Sequence, residues 1–160
     1  MLTTMHLIWL LMVSQSDTMS IKLERVGGFC VGTCPAYSVE VFASGKVLYE
    51  GKEGVGVTGK REYSIPEDSA LVLFKFVEEM DFFSLEREYI HVEHFHTRQD
   101  GTIDTLIEVV SDSPTQYVTL RVGKRAKGVQ DYFGAPSRLR ELEALIDRIA
   151  NTATLVRRGE

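Results

Sequence analysis

Positive charge is in deficit in this chain: 18 Lys and Arg face 23 Asp and Glu, for a formal net charge of -5. Domains that bind nucleic acid gain affinity by displacing counterions with an excess of Lys and Arg, so this balance argues against such a partner. The local cluster Arg121, Lys124, Arg125 and Lys127 reads as a solvated turn with charged flanks. No apolar run approaches the roughly 20 residues needed to span a bilayer, which excludes a transmembrane helix. Cysteine is scarce. Two residues, Cys30 and Cys34, leave no second pair for a zinc site. A GxSxG nucleophile elbow and an HExxH metal motif are both missing, and no internal repeat, low-complexity tract or Pro/Ser-rich linker divides the chain.

What remains has the composition of an ordinary globular protein, 44% apolar and 26% charged over 160 residues. A chain of that length fits one domain and can bury roughly 70% of its unfolded surface. The expected organisation is a leader or disordered N-terminus over residues 1–19, one domain over 20–151 and a C-terminal tail over 152–160. Leu7 to Val13 is apolar throughout and is followed by Ser14-Gln15-Ser16-Asp17, as in a signal peptide with cleavage after Ser16. Residues 1–6 carry no Lys or Arg, and Met19 stands just before the first strand pattern. A start at Met19 and an integral N-terminal segment therefore stay open beside export.

Alternating apolar residues predict strands over Ile21–Val26, Tyr37–Ala43 and Lys46–Glu50, the last two joined at Ser44-Gly45 as a hairpin. A third, longer strand is expected over Gly51–Ile65. Ser64 and Glu67 have capping-box spacing around Pro66 and open a helix with Ala70, Leu73, Phe74, Val77 and Met80 along one face. Thr102–Val110 alternates, and Tyr117–Val122 is expected as its hairpin partner across Ser111-Asp112-Ser113-Pro114. A short strand around Val129–Phe133 precedes a final helix, opened by Pro136, with Leu139, Leu142, Leu145, Ile146 and Ile149 as its stripe. Strands in hairpin order with two helices predict an α+β fold: an antiparallel sheet of about 5–7 strands with both helices on one face.

Three segments invite a chemical reading. Gly54-Val55-Gly56-Val57-Thr58-Gly59-Lys60 has GxGxxG spacing and most of a phosphate loop. Such loops need a helix N-terminus directly after the glycines, and here an extended run intervenes, so a Gly-rich bulged strand is expected. His91-Val92-Glu93-His94-Phe95-His96 could hold a metal through His91, His94 and His96, with Asp100 or Asp104 supplying oxygen, but its position predicts a solvated loop. Cys30 and Cys34 are close enough in sequence, with Gly32 between them, to close a disulfide of about 2 kcal/mol. Buried free thiols and a redox or metal pair stay as alternatives. No Cys-x-x-Cys sits at a helix start to depress a thiol pKa.

The run from Arg25 through Cys34-Pro35-Ala36-Tyr37-Ser38-Val39, with Ser44-Gly45-Lys46-Val47-Leu48-Tyr49-Glu50-Gly51 after it, resembles a bacterial family classed as domain of unknown function 6438. Asp81-Phe82-Phe83-Ser84-Leu85, Asp131-Tyr132-Phe133-Gly134-Ala135-Pro136 and Leu139 to Ile149 fit the same pattern, so the likeness runs from about Ile21 to Ala150. The resemblance implies no activity. It implies a leader or lipoprotein sequence and an oxidised cysteine pair; this chain departs from that in lacking leader charge and a lipid-acceptor cysteine.

These readings lean away from an enzyme. The chain is expected to be an uncharacterised, non-catalytic binding or interaction domain without a cofactor. Its partner would be a protein or a small ligand, and an exported or cell-envelope location is favoured over the cytoplasm. The alternative is a thiol-redox or metal-dependent enzyme using Cys30/Cys34 or the His91–His96 segment; a cytoplasmic small-molecule sensor is a third.

Overall fold

A computed structural model describes residues 18–28, 34–111 and 113–157. Cys30, and with it the expected Cys30–Cys34 pair, lies outside the described residues, as does the apolar run Leu7–Val13. Among the described residues nine strands are β1 (Met19–Val26), β2 (Ala36–Phe42), β3 (Lys46–Glu53), β4 (Gly59–Ser64), β5 (Glu88–Tyr89), β6 (Val92–Thr97), β7 (Ile103–Glu108), β8 (Thr115–Val122) and β9 (Arg125–Asp131). The helices are α1 (Glu67–Glu79), α2 (Ser137–Ile149) and a short α3 (Ala153–Val156), with a 3-10 turn at Phe82–Ser84.

Seven strands form one sheet in the order β4-β3-β2-β1-β8-β9-β5, antiparallel except for the parallel β5–β9 edge pair. The fold is α+β, as the hairpin order predicts. Period-two alternation sends Ile21 and Leu23, Val39 and Val41, Val47 and Tyr49, and Val118 and Leu120 to a single face, all at most 1% exposed. Ala70, Leu73, Phe74 and Val77 of α1 and Leu139, Leu142 and Ile146 of α2 join them in one core. The opposite face carries Lys22, Glu24, Glu40, Glu50 and Glu62.

Three expectations are corrected. The stretch 51–65 is not one strand: Gly51–Glu53 ends β3, residues 54–58 bend, and the chain returns as β4. The bend forms because Val55 turns into the core while the Gly56 and Val57 amides donate to Val156 and Leu155. Ser64 and Glu67 form no capping box; Pro66 is the N-cap of α1, with no side-chain cap bond. Finally, β7 does not pair with β8. It pairs with β6 in a separate two-stranded ribbon, and β8 lies between β1 and β9. Val118 and Leu120 have a core to enter, whereas Ile103 and Ile107 of β7 are 71% and 56% exposed.

Candidate functional site

The core face of the sheet stops being apolar at one end. Register places Tyr37 of β2 opposite Arg25 of β1, Arg25 opposite Gln116 of β8, and Gln116 opposite Asp131 of β9. A polar row thus crosses four strands, next to the apolar row Val39, Leu23, Val118 and Val129. Over it lies α2, whose Arg140, Glu143 and Asp147 recur at helical spacing on the side facing that row.

Asp147 is the hub. Its Oδ2 accepts from Arg25 Nε at 3.1 Å and Nη2 at 2.8 Å. Its Oδ1 accepts from the Tyr37 hydroxyl at 2.7 Å and the Thr152 hydroxyl at 2.8 Å. Burial opposes the Arg25 charge, but the adjacent Asp147 carboxylate still holds its pKa above the usual value. Burial pushes the Tyr37 hydroxyl up to about 12, helped by its bond to Asp147. These four groups satisfy one another.

Glu143 and Asp131, each 5% exposed, are less well provided for. Glu143 Oε2 lies 4.0 Å from Arg25 Nη1, and among the described residues Oε1 has no hydrogen-bond partner. Burial raises the Glu143 carboxyl to about 7, and the neighbouring Asp131 charge adds to the effect. Burial also raises Asp131, against the pull of Arg140, whose Nε stands 3.7 Å away. The two carboxyls border a cleft of about 330 Å³ that is also lined by Arg140, Ser113, Gln116, Tyr132 and Phe133. A larger cleft of about 560 Å³ lies between α1 and the adjoining ends of β1 and β8. Its walls, Met19, Leu71, Phe74, Phe82, Leu120 and Val122, bring little chemistry besides Lys75, Glu78 and Asp81 at the rim.

Beside the carboxyl cleft stands the β6–β7 ribbon. Its root is tied down by the Tyr132 hydroxyl, which donates to Val110 O at 2.8 Å and accepts from Ser113 N at 3.2 Å. Gly134, at φ 87°, lets the root pass: a Cβ there would meet Val92 at 2.7 Å and His91 O at 2.8 Å. On one face of the ribbon Phe95, Ile103 and Ile107 are 66%, 71% and 56% exposed, and Val109, 70% exposed, follows at the root. The other face carries His94, His96, Asp104 and Glu108 around Leu106.

The histidine segment is therefore a strand, which corrects the expected solvated loop, although its side chains are solvent-exposed. Within it, His94 Nε2 lies 2.8 Å from Glu108 and His91 Nε2 lies 3.5 Å from Glu93. His96 faces Asp104, which pairs with Arg98 at 2.8 Å. Among the described residues no three His, Cys, Asp or Glu side chains are grouped to hold a metal ion. The glycine segment 54–60 has its Gly56 and Val57 amides bonded to backbone carbonyls, not open to a phosphate. In the basic cluster, Lys127 Nζ donates to Phe83 O at 2.8 Å and to Leu85 O, and Arg125 stacks 4.1 Å from the Phe83 ring centroid. Cys34 stands just before β2 and is not free.

Sequence reading did not single out Arg25, Gln116, Asp131, Glu143 or Asp147. The signal was parity. Each strand residue of the polar row shares its face with a buried aliphatic two positions away, and Glu143 and Asp147 flank the Leu142–Ile146 stripe. A family model described as "Domain of unknown function (DUF6438)" matches residues 19–150. No curated protein and no solved structure matches the chain.

Proposed function

Because the chain belongs to the DUF6438 family, whose description assigns no activity, we propose from its geometry that it is a non-catalytic interaction domain. Its contact surface is the apolar face of the β6–β7 ribbon. The observation that carries this reading is the exposure of Phe95, Ile103, Ile107 and Val109 on a projecting ribbon. A two-stranded ribbon is marginal in water unless its apolar face packs on something. Contiguous exposed apolar residues on a folded domain mark a surface meant for a partner.

The partner we assign is a second copy of the chain, with the two ribbons stacked face to face about a two-fold axis. A two-fold stack opposes each apolar face to an identical one, which is self-complementary by construction. Glu93 is the acidic residue of that face and sits near the root. In an antiparallel stack the Glu93 side chains of the two copies lie at opposite ends, so these like charges stay apart.

Sedimentation velocity of the full chain between micromolar and submillimolar concentration tests the reading, beside a Phe95→Lys, Ile107→Lys double variant. A concentration-dependent dimer that the double variant abolishes is expected. A wild type that stays monomeric throughout, or a dimer that survives both lysines, overturns it. Support for a location outside the reducing cytoplasm comes from Cys34, which is not a free thiol.

A further inference from the structure

We propose that the cleft between Asp131, Gln116 and Glu143 is a binding site for the cationic head of a small ligand, an ammonium or guanidinium group with N–H donors. This inference does not depend on the ribbon reading. Its starting point is Glu143 Oε1, a carboxyl oxygen on a side chain 6% exposed, lining the cleft, with no hydrogen-bond partner among the described residues. A buried acceptor left unmatched costs on the order of 1–3 kcal/mol, so the cleft favours an occupant that donates to it.

The surrounding groups define the donor's charge. Asp131 faces the same space from β9, and its cationic neighbour Arg140 is held loosely at 3.7 Å by a side chain 58% exposed. Arg25, on β1, reaches Glu143 only at 4.0 Å and is committed to Asp147, which lies on the same helix as Glu143. The cleft thus holds two carboxyl groups whose cationic neighbours, Arg140 from Asp131 at 3.7 Å and Arg25 from Glu143 at 4.0 Å, stand at the long end of ion-pair range. An anion would sit against both of them, and a purely apolar guest would leave Oε1 unmatched. A cation with two or more N–H groups can meet Oε1 and Asp131 together, with the Gln116 and Ser113 side chains beside it and the Phe133 ring as an apolar wall. A cleft of about 330 Å³ fits a head group with a short chain.

Titrating the full chain, ¹⁵N-labelled, with n-butylammonium, n-butylguanidinium and butyrate in parallel tests the site by amide shifts. The two cations are expected to move resonances of residues 113–116 and 131–143 saturably at millimolar concentration, while butyrate leaves them in place. Glu143→Gln keeps the shape and removes the charge, and should weaken cation binding at least tenfold; Asp131→Asn repeats the test from the opposite wall. Wild-type affinity should rise between pH 6 and 8 as Glu143 ionises, and the rise should vanish in Glu143→Gln. Equal shifts with butyrate, no saturable shift with either cation, or unchanged affinity in both variants refutes the site, and spectra outside the cleft report whether the variants are folded.

Discussion

Arg25 and Asp147, 122 positions apart, meet end to end: two guanidinium nitrogens lie 3.1 Å and 2.8 Å from one carboxylate oxygen. The contact fastens the last helix to the first strand, and the second carboxylate oxygen adds Tyr37 and Thr152 to the same knot. Asp147→Ala strands a cation and two hydroxyls. Breaking such a partly buried set from one side is expected to cost about 2–4 kcal/mol, read as a lower urea midpoint at unchanged slope. Tyr37→Phe removes the hydroxyl that donates to Asp147 and accepts from Arg25 Nε, and should cost about 1–2 kcal/mol. A midpoint for Asp147→Ala within error of wild type would show that the knot forms without stabilising the fold.

Glu143 gives a pH dependence of definite sign. Its carboxyl stands near 7 in the fold, raised by burial and by Asp131, and titrates near 4.3 when unfolded. Between those values the folded state holds the extra proton, so stability falls as pH rises through this window and is greatest below it. Asp131, also raised by burial, acts in the same direction; Arg25 and Arg140 oppose both shifts. Thermal melts from pH 5 to 8 should show wild-type stability declining by on the order of 2–4 kcal/mol. Glu143→Gln should flatten that slope and be the more stable protein at pH 8. A wild-type curve that rises over this range would contradict the assigned ionisation.

How legible these features were depends on what alternation reports. Period two and period 3.6 identify elements and their apolar faces, and so find β1, β2, the start of β3, α1 and α2 within a few residues. They do not say which strands pair. Ile103 and Ile107 alternate as cleanly as Val118 and Leu120 do, yet one pair is open to water and the other buried, because only the β8 residues lie under a helix. The polar row was hidden for a related reason. Arg25 and Asp131 read as surface residues by type, and only their parity with Leu23 and Val129 places them inside. Glu143 becomes distinctive once α2 is laid over that row, a placement that local sequence does not encode.

The ribbon should be separable from the domain's stability. Its side chains are exposed along nearly its whole length, so lysine at Phe95 or Ile107 should shift the melting free energy of the monomer, measured at low concentration, by no more than about 0.5 kcal/mol. Gly134→Ala, by contrast, is expected to destabilise by about 1–3 kcal/mol, since it combines a left-handed backbone with a clash against Val92 and His91. A ribbon that held the fold together would reverse this order, with the lysine variants unfolding first.

A disulfide between Cys30 and Cys34 is expected in protein from the native host, because Cys34 is not free and the chain has one other cysteine. The closed loop is short, so little unfolded-state entropy is removed and reduction should cost only about 2 kcal/mol. The described residues on either side of the pair adjoin the site: Gly28 packs at Pro114, which lines the carboxyl cleft, and Tyr37 follows Cys34 by three residues. Reduction should therefore loosen the Arg25–Tyr37–Asp147 knot first, seen as faster amide exchange at residues 25 and 37 before any change in α1. Intact mass with and without alkylation reads the bond directly. Two alkylated thiols in unreduced protein would remove the staple, and with it the argument for an oxidising location.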